Sequence, residues 1–295
     1  MPIRSAPSAR TTDELIEFGV VVLDKPAGPT SHQVSDWVAD ITGASRSGHV
    51  GTLDPAVTGC LPVLLGAATR LTEVLAASTK EYVAILELHE NPPADWRVGI
   101  ERFSGPIYQR PPRKSAVARR LRVRTIHDIE ILERAGRRIL LRIDCEAGTY
   151  IRKLCHDIGL VLGTGGHMAA LRRTRTTPFD DAELVTLHDL IDGVAFWEED
   201  GDEAAVRAVV RPAEDALAQL PVVTISDGTA ETVADGAPVF SPGVIDIDPK
   251  LEGLKDEQPR VVCTTGDGAA VCIGRYLGTE SATADAVVEL ERVLV

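Results

Sequence analysis

The segment Gly48-His-Val-Gly-Thr-Leu-Asp-Pro-Ala-Val-Thr-Gly59 sets one histidine, His49, and one carboxylate, Asp54, five residues apart in a frame of glycines. On its own residues it reads either as a loop that presents Asp54 or as an Asp-Pro turn beside a satisfied surface histidine. Other site patterns are missing from the chain. There is no lysine-bearing phosphate loop, no His-Glu-x-x-His zinc helix and no Gly-x-Ser-x-Gly elbow, and Gly163-Thr-Gly-Gly166 lacks the lysine that a nucleotide loop requires.

Before the loop, residues 18–23 form a short valine-rich apolar run closed by Asp24-Lys25-Pro26 and Gly28-Pro29, which reads as a buried strand and a turn. Ser31 is then expected to cap a helix in which Val34, Trp37, Val38 and Ile41 recur at helical spacing, with Gly43 as its stop. After the loop the pattern predicts a helix over 67–77 and a strand over 82–88. Residues 109–124 are strongly basic. Their prolines deny regular helix and their alternating Arg/apolar end suits a strand, so a loop able to fold over a ligand is expected there. Strands over 129–132 and 138–145 follow. A helix over 149–162 comes next, with Ile151, Leu154, Cys155, Ile158 and Leu162 on one face and Arg152 off that stripe near the N-terminus. Beyond Arg175 the composition turns acidic. The run Glu198-Glu-Asp-Gly-Asp-Glu203 reads as a solvated surface loop, 204–217 as a helix, and 221–295 as short valine-rich strands broken by glycine. The fold class is therefore α+β, with a small β domain beginning near 215–221 and no internal repeat.

With 295 residues, 44% hydrophobic and 25% charged, the chain has the length for about two domains and no stretch resembling a membrane span. Disordered, collagenous and membrane classes are excluded. Five cysteines without a Cys-x-x-Cys pair suggest neither a disulfide framework nor a zinc site, and the first ten residues lack an apolar signal core. A cytoplasmic, reducing home is expected. A net charge of −13 argues at first against a polyanionic partner, but the charge is not uniform. Residues 97–175 carry 18 basic and 7 acidic side chains, a local excess of +11, between flanks at −6 and −18. Only six of the 31 basic residues are lysines. Codon bias accounts for that, as does adaptation to a very salty cytoplasm; arginine also offers a planar fork for phosphate.

Five ordered blocks carry a resemblance: Asp24-Lys-Pro-Ala-Gly-Pro-Thr-Ser-His32, His49-Val-Gly-Thr-Leu-Asp-Pro-Ala-Val-Thr-Gly-Cys-Leu-Pro62, Lys80-Glu-Tyr82, Gly148-Thr-Tyr-Ile-Arg152 and His167-Met-Ala-Ala-Leu-Arg-Arg173. In this order they resemble the TruB family of RNA pseudouridine synthases. Gln109-Arg-Pro-Pro with Ser115-Ala-Val, Phe179-Asp-Asp, Phe196-Trp-Glu-Glu-Asp-Gly201 and a C-terminal part similar to a PUA domain point to the dyskerin branch, the catalytic subunit of box H/ACA ribonucleoproteins. The likeness covers nearly everything from Phe18 onward, with a shorter N-terminal segment and an early C-terminal stop. It implies a mixed-sheet pseudouridine synthase catalytic domain over 18–217, preceded by a short tail over 1–17, and a small β-barrel-like PUA domain over 218–295.

The chemistry so implied detaches a uracil from its ribose, turns it and rejoins it through C5. It needs one nucleophile, which the resemblance assigns to Asp54, attacking either the ribose C1′ or the uracil C6 or assisting glycal formation, and no metal or cofactor. Arg152, a close cation, would favour the ionised carboxylate; a glycosidase would instead need two carboxylates about the bond. The uridine must leave its stack first. Tyr82 would stack on the base, Tyr150 and Leu171 would close the apolar walls, and His49 would fill or support the gap left by flipping, although Tyr82 and Leu171 equally suit a core. Lys25, grouped with the substrate-binding residues, would with Pro26 brace the Asp54 loop rather than touch the reaction. Residues 110–124 would form a thumb whose Arg113, Lys114, Arg119 and Arg120 meet RNA phosphates. In the PUA-like part, Gly236-Ala-Pro-Val and Pro242-Gly-Val244 would grip the ACA end of a guide RNA. The partners implied are ribosomal RNA or transfer RNA as substrate, a box H/ACA guide RNA and small ribonucleoprotein subunits. The alternatives are a stand-alone enzyme for the transfer-RNA T-loop and a catalytically silent RNA-binding scaffold.

Overall fold

The computed structural model describes residues 3–111, 118–254, 257–278 and 286–295. A short helix α1 (Thr12–Glu17), held by a Thr11/Glu14 capping box, leads into strand β1 (Gly19–Lys25) and helix α2 (Ser31–Thr42). Strands β2 (Ser47–His49) and β3 (Thr58–Leu65) flank the Asp54 loop. A 3-10 turn, Gly66–Leu71, runs into α3 (Thr72–Ala76), then β4 (Lys80–Leu88), α4 (Trp96–Glu101) and β5 (Gly105–Gln109). The long β6 (Arg122–Ala135) returns as β7 (Arg138–Cys145), followed by α5 (Ile151–Val161), β8 (Gly166–Thr176), β9 (Phe179–Asp180), α6 (Leu187–Asp200), α7 (Glu203–Val209) and β10 (Arg211–Pro212).

These strands make one mixed sheet in the order β10-β1-β3-β8-β4-β7-β6-β5, with β2 on β3 and β9 on β8. Its only parallel strand pairing among the described residues is β3 with β8, which brings Thr58 and Gly59 at the end of the Asp54 loop beside Arg172 and Arg173. The apolar stripe of α5 explains its seat: Ile151, Leu154, Cys155 and Ile158 are buried with Ala84, Leu86, Leu141 and Ile143 of the sheet. At ~1.5–3 kcal/mol for each large buried side chain, that stripe is what fixes Arg152 in space.

The second sheet runs β12-β16-β15-β14-β11-β13 and is built from β11 (Val222–Ile225), β12 (Val239–Phe240), β13 (Val244–Ile247), β14 (Arg260–Thr264), β15 (Ala270–Tyr276) and β16 (Ala286–Val293). Helix α8 (Asp227–Ala234) also belongs to this part. Phe18, Leu64 and Leu71 share an apolar cluster with Val262, Ile273 and Leu294, so the two sheets are joined by core rather than by a bare linker. Residues 3–17 take part in this junction. Arg10 is 1% exposed and makes a bidentate pair with Glu214 at 2.6 and 2.7 Å, while Glu214 Oε1 also accepts the Ala270 N–H. The Arg4 guanidinium donates to the Leu294 carbonyl. No helix among the described residues is long and apolar enough to cross a membrane.

Several local expectations are corrected. The cap of α2 is Thr30, in a capping box with Gln33, and Ser31 is its first helical residue. Val34 and Val38 are buried but Trp37 is 44% exposed, so it lies off the buried face. The run 198–203 is no loop: Glu198 to Asp200 end α6, Gly201 closes it at φ +73°, and Asp202 caps α7. The helix expected over 204–217 stops at Val209, because the chain then pairs with β1 as β10. The strand expected over 129–132 is the centre of a longer β6, and the helix expected over 67–77 is α-helical only in Thr72–Ala76.

Candidate active site

A cavity of about 290 Å³ opens where β4 and β8 of the first sheet meet the Asp54 loop and the start of α5, lined by Asp54, Tyr82, Tyr150, Arg152, Leu171, Lys80 and Arg173 among others. Asp54 and Arg152, 98 positions apart in the chain, form an ion pair across it with both side chains about half exposed. An exposed pair of this kind adds little stability, on the order of 0–1 kcal/mol, so its worth is positional. The carboxylate is set opposite Arg152, with no other acidic group among the described residues that line the cavity, and is open to a ligand.

The loop that presents Asp54 is tied down on both sides. Ser31, fully buried, accepts the Leu53 N–H at 2.9 Å and donates to the Leu53 carbonyl at 3.1 Å. Lys25, also fully buried, donates its ammonium to the carbonyls of Pro26, Pro55 and Val57 at 2.9, 3.2 and 3.0 Å. Burial lowers the Lys25 pKa, yet the three carbonyls occupy its hydrogens. The structure thus sets Lys25 behind the loop, with Pro26, rather than in the cavity. The Val57 N–H closes the turn on the Asp54 carbonyl at 2.9 Å.

Tyr82 leaves β4 opposite Ile143 on one side and Arg173 on the other. Burial pushes its phenol up, which keeps it neutral, with Arg173 acting in the opposite direction. Tyr150 precedes α5 and is clamped by Gln109, whose side-chain amide donates to the Tyr150 carbonyl at 3.1 Å and accepts its N–H at 2.9 Å. Leu171 on β8 and Met168 pack against the apolar cluster below. The thiols nearby are no rivals for Asp54, since burial raises Cys60 to about 11 and Cys145 to about 12.

His49 lies on β2, half-buried, 3.2 Å from the Thr52 hydroxyl, and is not among the residues that line the cavity. Burial, with the charges of His32 and Arg173, lowers its pKa. Arg119 and Arg120 are exposed; Arg119 donates to the Pro111 carbonyl at 3.1 Å and, with Tyr108, Arg110 and Lys153, lines an open groove that shares Arg152 with the first cavity. Arg113 and Lys114 lie outside the described residues.

Four residues that the structure puts to use are not predicted from the sequence. Gln109, Lys80 and Arg173 stand inside the quoted blocks, but a buried polar side chain has no periodic signature. Ser31 reads as a cap because it starts the helix; the Thr30-x-x-Gln33 spacing is the available signal for the true cap.

Comparisons with known proteins agree with this geometry. The chain matches the TruB family pseudouridylate synthase (N terminal domain) over residues 39–98, the tRNA pseudouridylate synthase B C-terminal domain over 152–218, the DKCLD (NUC011) domain over 2–35 and the PUA domain over 221–294. It is 55% identical to a probable tRNA pseudouridine synthase B of Halobacterium salinarum, with all of both chains covered. It is 54% identical to the protein of the same name from Haloarcula marismortui, over 100% of this chain and 94% of that one. Among solved structures it resembles the protein in a Cbf5-Nop10-Gar1 complex, with 43% identity, TM-score 0.90 and coverage of 99% and 90%. It also resembles one in an H/ACA RNP bound to a substrate RNA containing 2′-deoxyuridine, with 40% identity, TM-score 0.89 and coverage of 99% and 90%. A single carboxylate held by a distant arginine over a base-sized cavity, on a fold shared over its whole length with these enzymes, places the chain in the TruB family of RNA pseudouridine synthases, in its Cbf5 or dyskerin branch.

Proposed function

We propose that Asp54 is the nucleophile of this isomerase and that it acts on a uridine flipped into the cavity between Tyr82, Tyr150 and Leu171. The observation that carries the reading is the Asp54–Arg152 pair in a cavity whose lining includes the aromatic Tyr82 and Tyr150 and the apolar Met168 and Leu171. A stacked base gains about 1–3 kcal/mol from an aromatic partner, which offsets much of the cost of unstacking it. Arg119, Arg120 and the rest of 110–124 would hold the phosphates of the substrate strand, as would the groove beside Arg152. His49 would support the strand outside the cavity. The acidic second sheet would take the guide RNA through a small face at Gly236-Ala-Pro-Val and Pro242-Gly-Val244.

The uridines acted on are in ribosomal RNA, chosen by a box H/ACA guide with small partner proteins of the kind present in the Cbf5-Nop10-Gar1 complex. The name carried by the haloarchaeal relatives favours a second reading, action on transfer RNA without a guide. Five free, buried cysteines support a reducing cytosol as its place of work, and the haloarchaeal relatives support the salt-adapted reading of its acidity. The test uses purified protein with transfer RNA alone, then with guide RNA, partner proteins and a ribosomal fragment. Pseudouridine is read by carbodiimide-primer extension. Product that requires the guide supports the first mode and product without it the second. Full turnover by Asp54→Asn would remove the nucleophile assignment from either.

A further inference from the structure

Under the Asp54 cavity lie two cations for which no acidic partner occurs among the described residues. Lys80, 4% exposed at the start of β4, donates its ammonium to the carbonyls of Leu75, Ala76 and Ser78 at 3.1, 2.8 and 2.5 Å. Arg173, 1% exposed on β8, donates to the carbonyls of Cys60, Gly51 and Val50 at 2.7, 2.8 and 3.1 Å. Both line the cavity. Gly51 is wedged against the pair: a Cβ there would lie 2.9 Å from Arg173 Nη1 and 3.6 Å from Lys80 Cε, and its φ of +71° also favours glycine.

A buried cation without a counter-charge costs several kcal/mol, and carbonyl groups offset only part of it. Neutral donors would satisfy those carbonyls at lower cost. Two such charges, both close to Gly51 and both lining the cavity that would hold the base, point to a charge that appears there only during the reaction. Resting on the reading of this cavity as the uridine site, we propose that Lys80 and Arg173 form an electropositive floor that stabilises the negative charge borne by the uracil when its bond to ribose breaks.

The chemistry supplies that charge whether Asp54 attacks C1′ or C6. The C1′–N1 bond breaks and its electron pair stays on the base, while Asp54 holds a transient bond to C1′ or to C6. The base turns and C5 bonds to C1′; the bond to Asp54 breaks, in the first case as C5 arrives and in the second as the ring double bond is restored, and its electron pair returns to the carboxylate. The C5 proton is passed on while N1 gains one. The net exchange is C1′–N1 for C1′–C5 with one proton moved from C5 to N1, so no oxidant or metal is required. Fixed charges under the ring act where charge develops, without reorganisation during the reaction.

The floor has a pH signature. Lys80 is held down to about 8 by burial and by Arg173. The groups facing it are Arg173 from β8, Cys60 from β3 and Cys145 from β7, and both thiols stay neutral through this range. As pH rises through about 8 the Lys80 charge is lost, so the rate of the chemical step falls. Its contribution to stability moves the other way: between about 8 and 10.5 the unfolded chain binds more protons, and folding gains with pH.

The experiment is single-turnover kinetics of the assembled enzyme on its RNA between pH 6.5 and 9.5, with RNA affinity measured in parallel. The wild type is expected to slow above pH 8. Lys80→Met is expected to be slower by on the order of a hundredfold at pH 7 with unchanged RNA affinity and no such fall. Lys80→Arg, charged throughout, is expected to restore most of the rate and to lack the fall. A wild-type profile flat through pH 8, or a Lys80→Met protein as fast as wild type, overturns the floor. Should Lys80→Met not fold, the wild-type and Lys80→Arg profiles decide. Asp54→Asn run alongside separates the two claims: if it is inactive while Lys80 is indifferent, the site stands and the floor falls; if it turns over, both fall.

Discussion

Replacing Ser31 with alanine removes a single oxygen that serves both polar groups of the Leu53 peptide, the N–H at 2.9 Å and the carbonyl at 3.1 Å. Ser31 is 0% and Leu53 4% exposed, so water does not readily take its place. Leaving a buried donor or acceptor unmet costs about 1–3 kcal/mol each, and relaxation of the loop recovers part of that, which gives a loss of about 2–3 kcal/mol. For a chain of this size that is a fall in melting temperature of about 3–5 °C. The next residue is Asp54, so the same relaxation moves the carboxylate away from Arg152. A displacement worth 1.4 kcal/mol in the transition state slows the chemical step tenfold, and Ser31→Ala is expected to lose at least about that, with RNA affinity unchanged. Thr30→Ala is the control one residue away. It breaks the helix cap at about 1 kcal/mol and leaves the Leu53 bonds intact, so its chemical step should keep its speed. Thermal melting and single-turnover kinetics on both variants give the answer. A destabilised Ser31→Ala protein with wild-type rate would refute the idea that this hydroxyl positions Asp54.

Arg10→Met removes a fully buried guanidinium and takes both bonds of the bidentate pair from Glu214, which keeps the Ala270 N–H and the charge of Arg4. Breaking such a pair costs about 3 kcal/mol, to be read as a lower melting temperature in which the second sheet loosens first by hydrogen exchange. Joint replacement of Arg119 and Arg120 by alanine should weaken RNA binding across sequences and flatten the plot of log affinity against log salt by about one unit for each phosphate no longer neutralised; an unchanged slope would take these arginines off the RNA.

How much of this the sequence revealed depends on what each residue was asked to do. Strands β4 and β7 were legible because their apolar residues alternate, and α5 because Ile151, Leu154, Cys155 and Ile158 recur on one face. Asp54 and Arg152 were legible as members of ordered blocks. The end of α6 was not. Three acidic residues at a helix C-terminus oppose the helix dipole, so Glu198 to Asp200 read as loop; burial of Leu190 and Val194 against Val206 and Val209 of α7 outweighs that local preference. Gln109 and Arg173 escaped because their partners lie 41 and more than 110 positions away; Lys80 bonds carbonyls only two to five positions before it, but a lysine at a strand start carries no sign that it will be buried. A buried polar residue is defined by its surroundings, and those exist only once the sheet has closed.

The bonds made by the first residues carry a consequence for the order of folding. Arg4 donates to a carbonyl 290 positions away, and Arg10 grips a glutamate that is itself bonded to Ala270. Arg10 can close on Glu214, and its carbonyl accept from Arg207, once the first sheet is made, whereas the Arg4 bond to Leu294 needs the last strand of the second sheet. Contacts of such long separation form slowly. The Arg10 pair and the Arg4 bond therefore belong to successive steps of folding, the second fastening the two sheets after the first has set the arm in place.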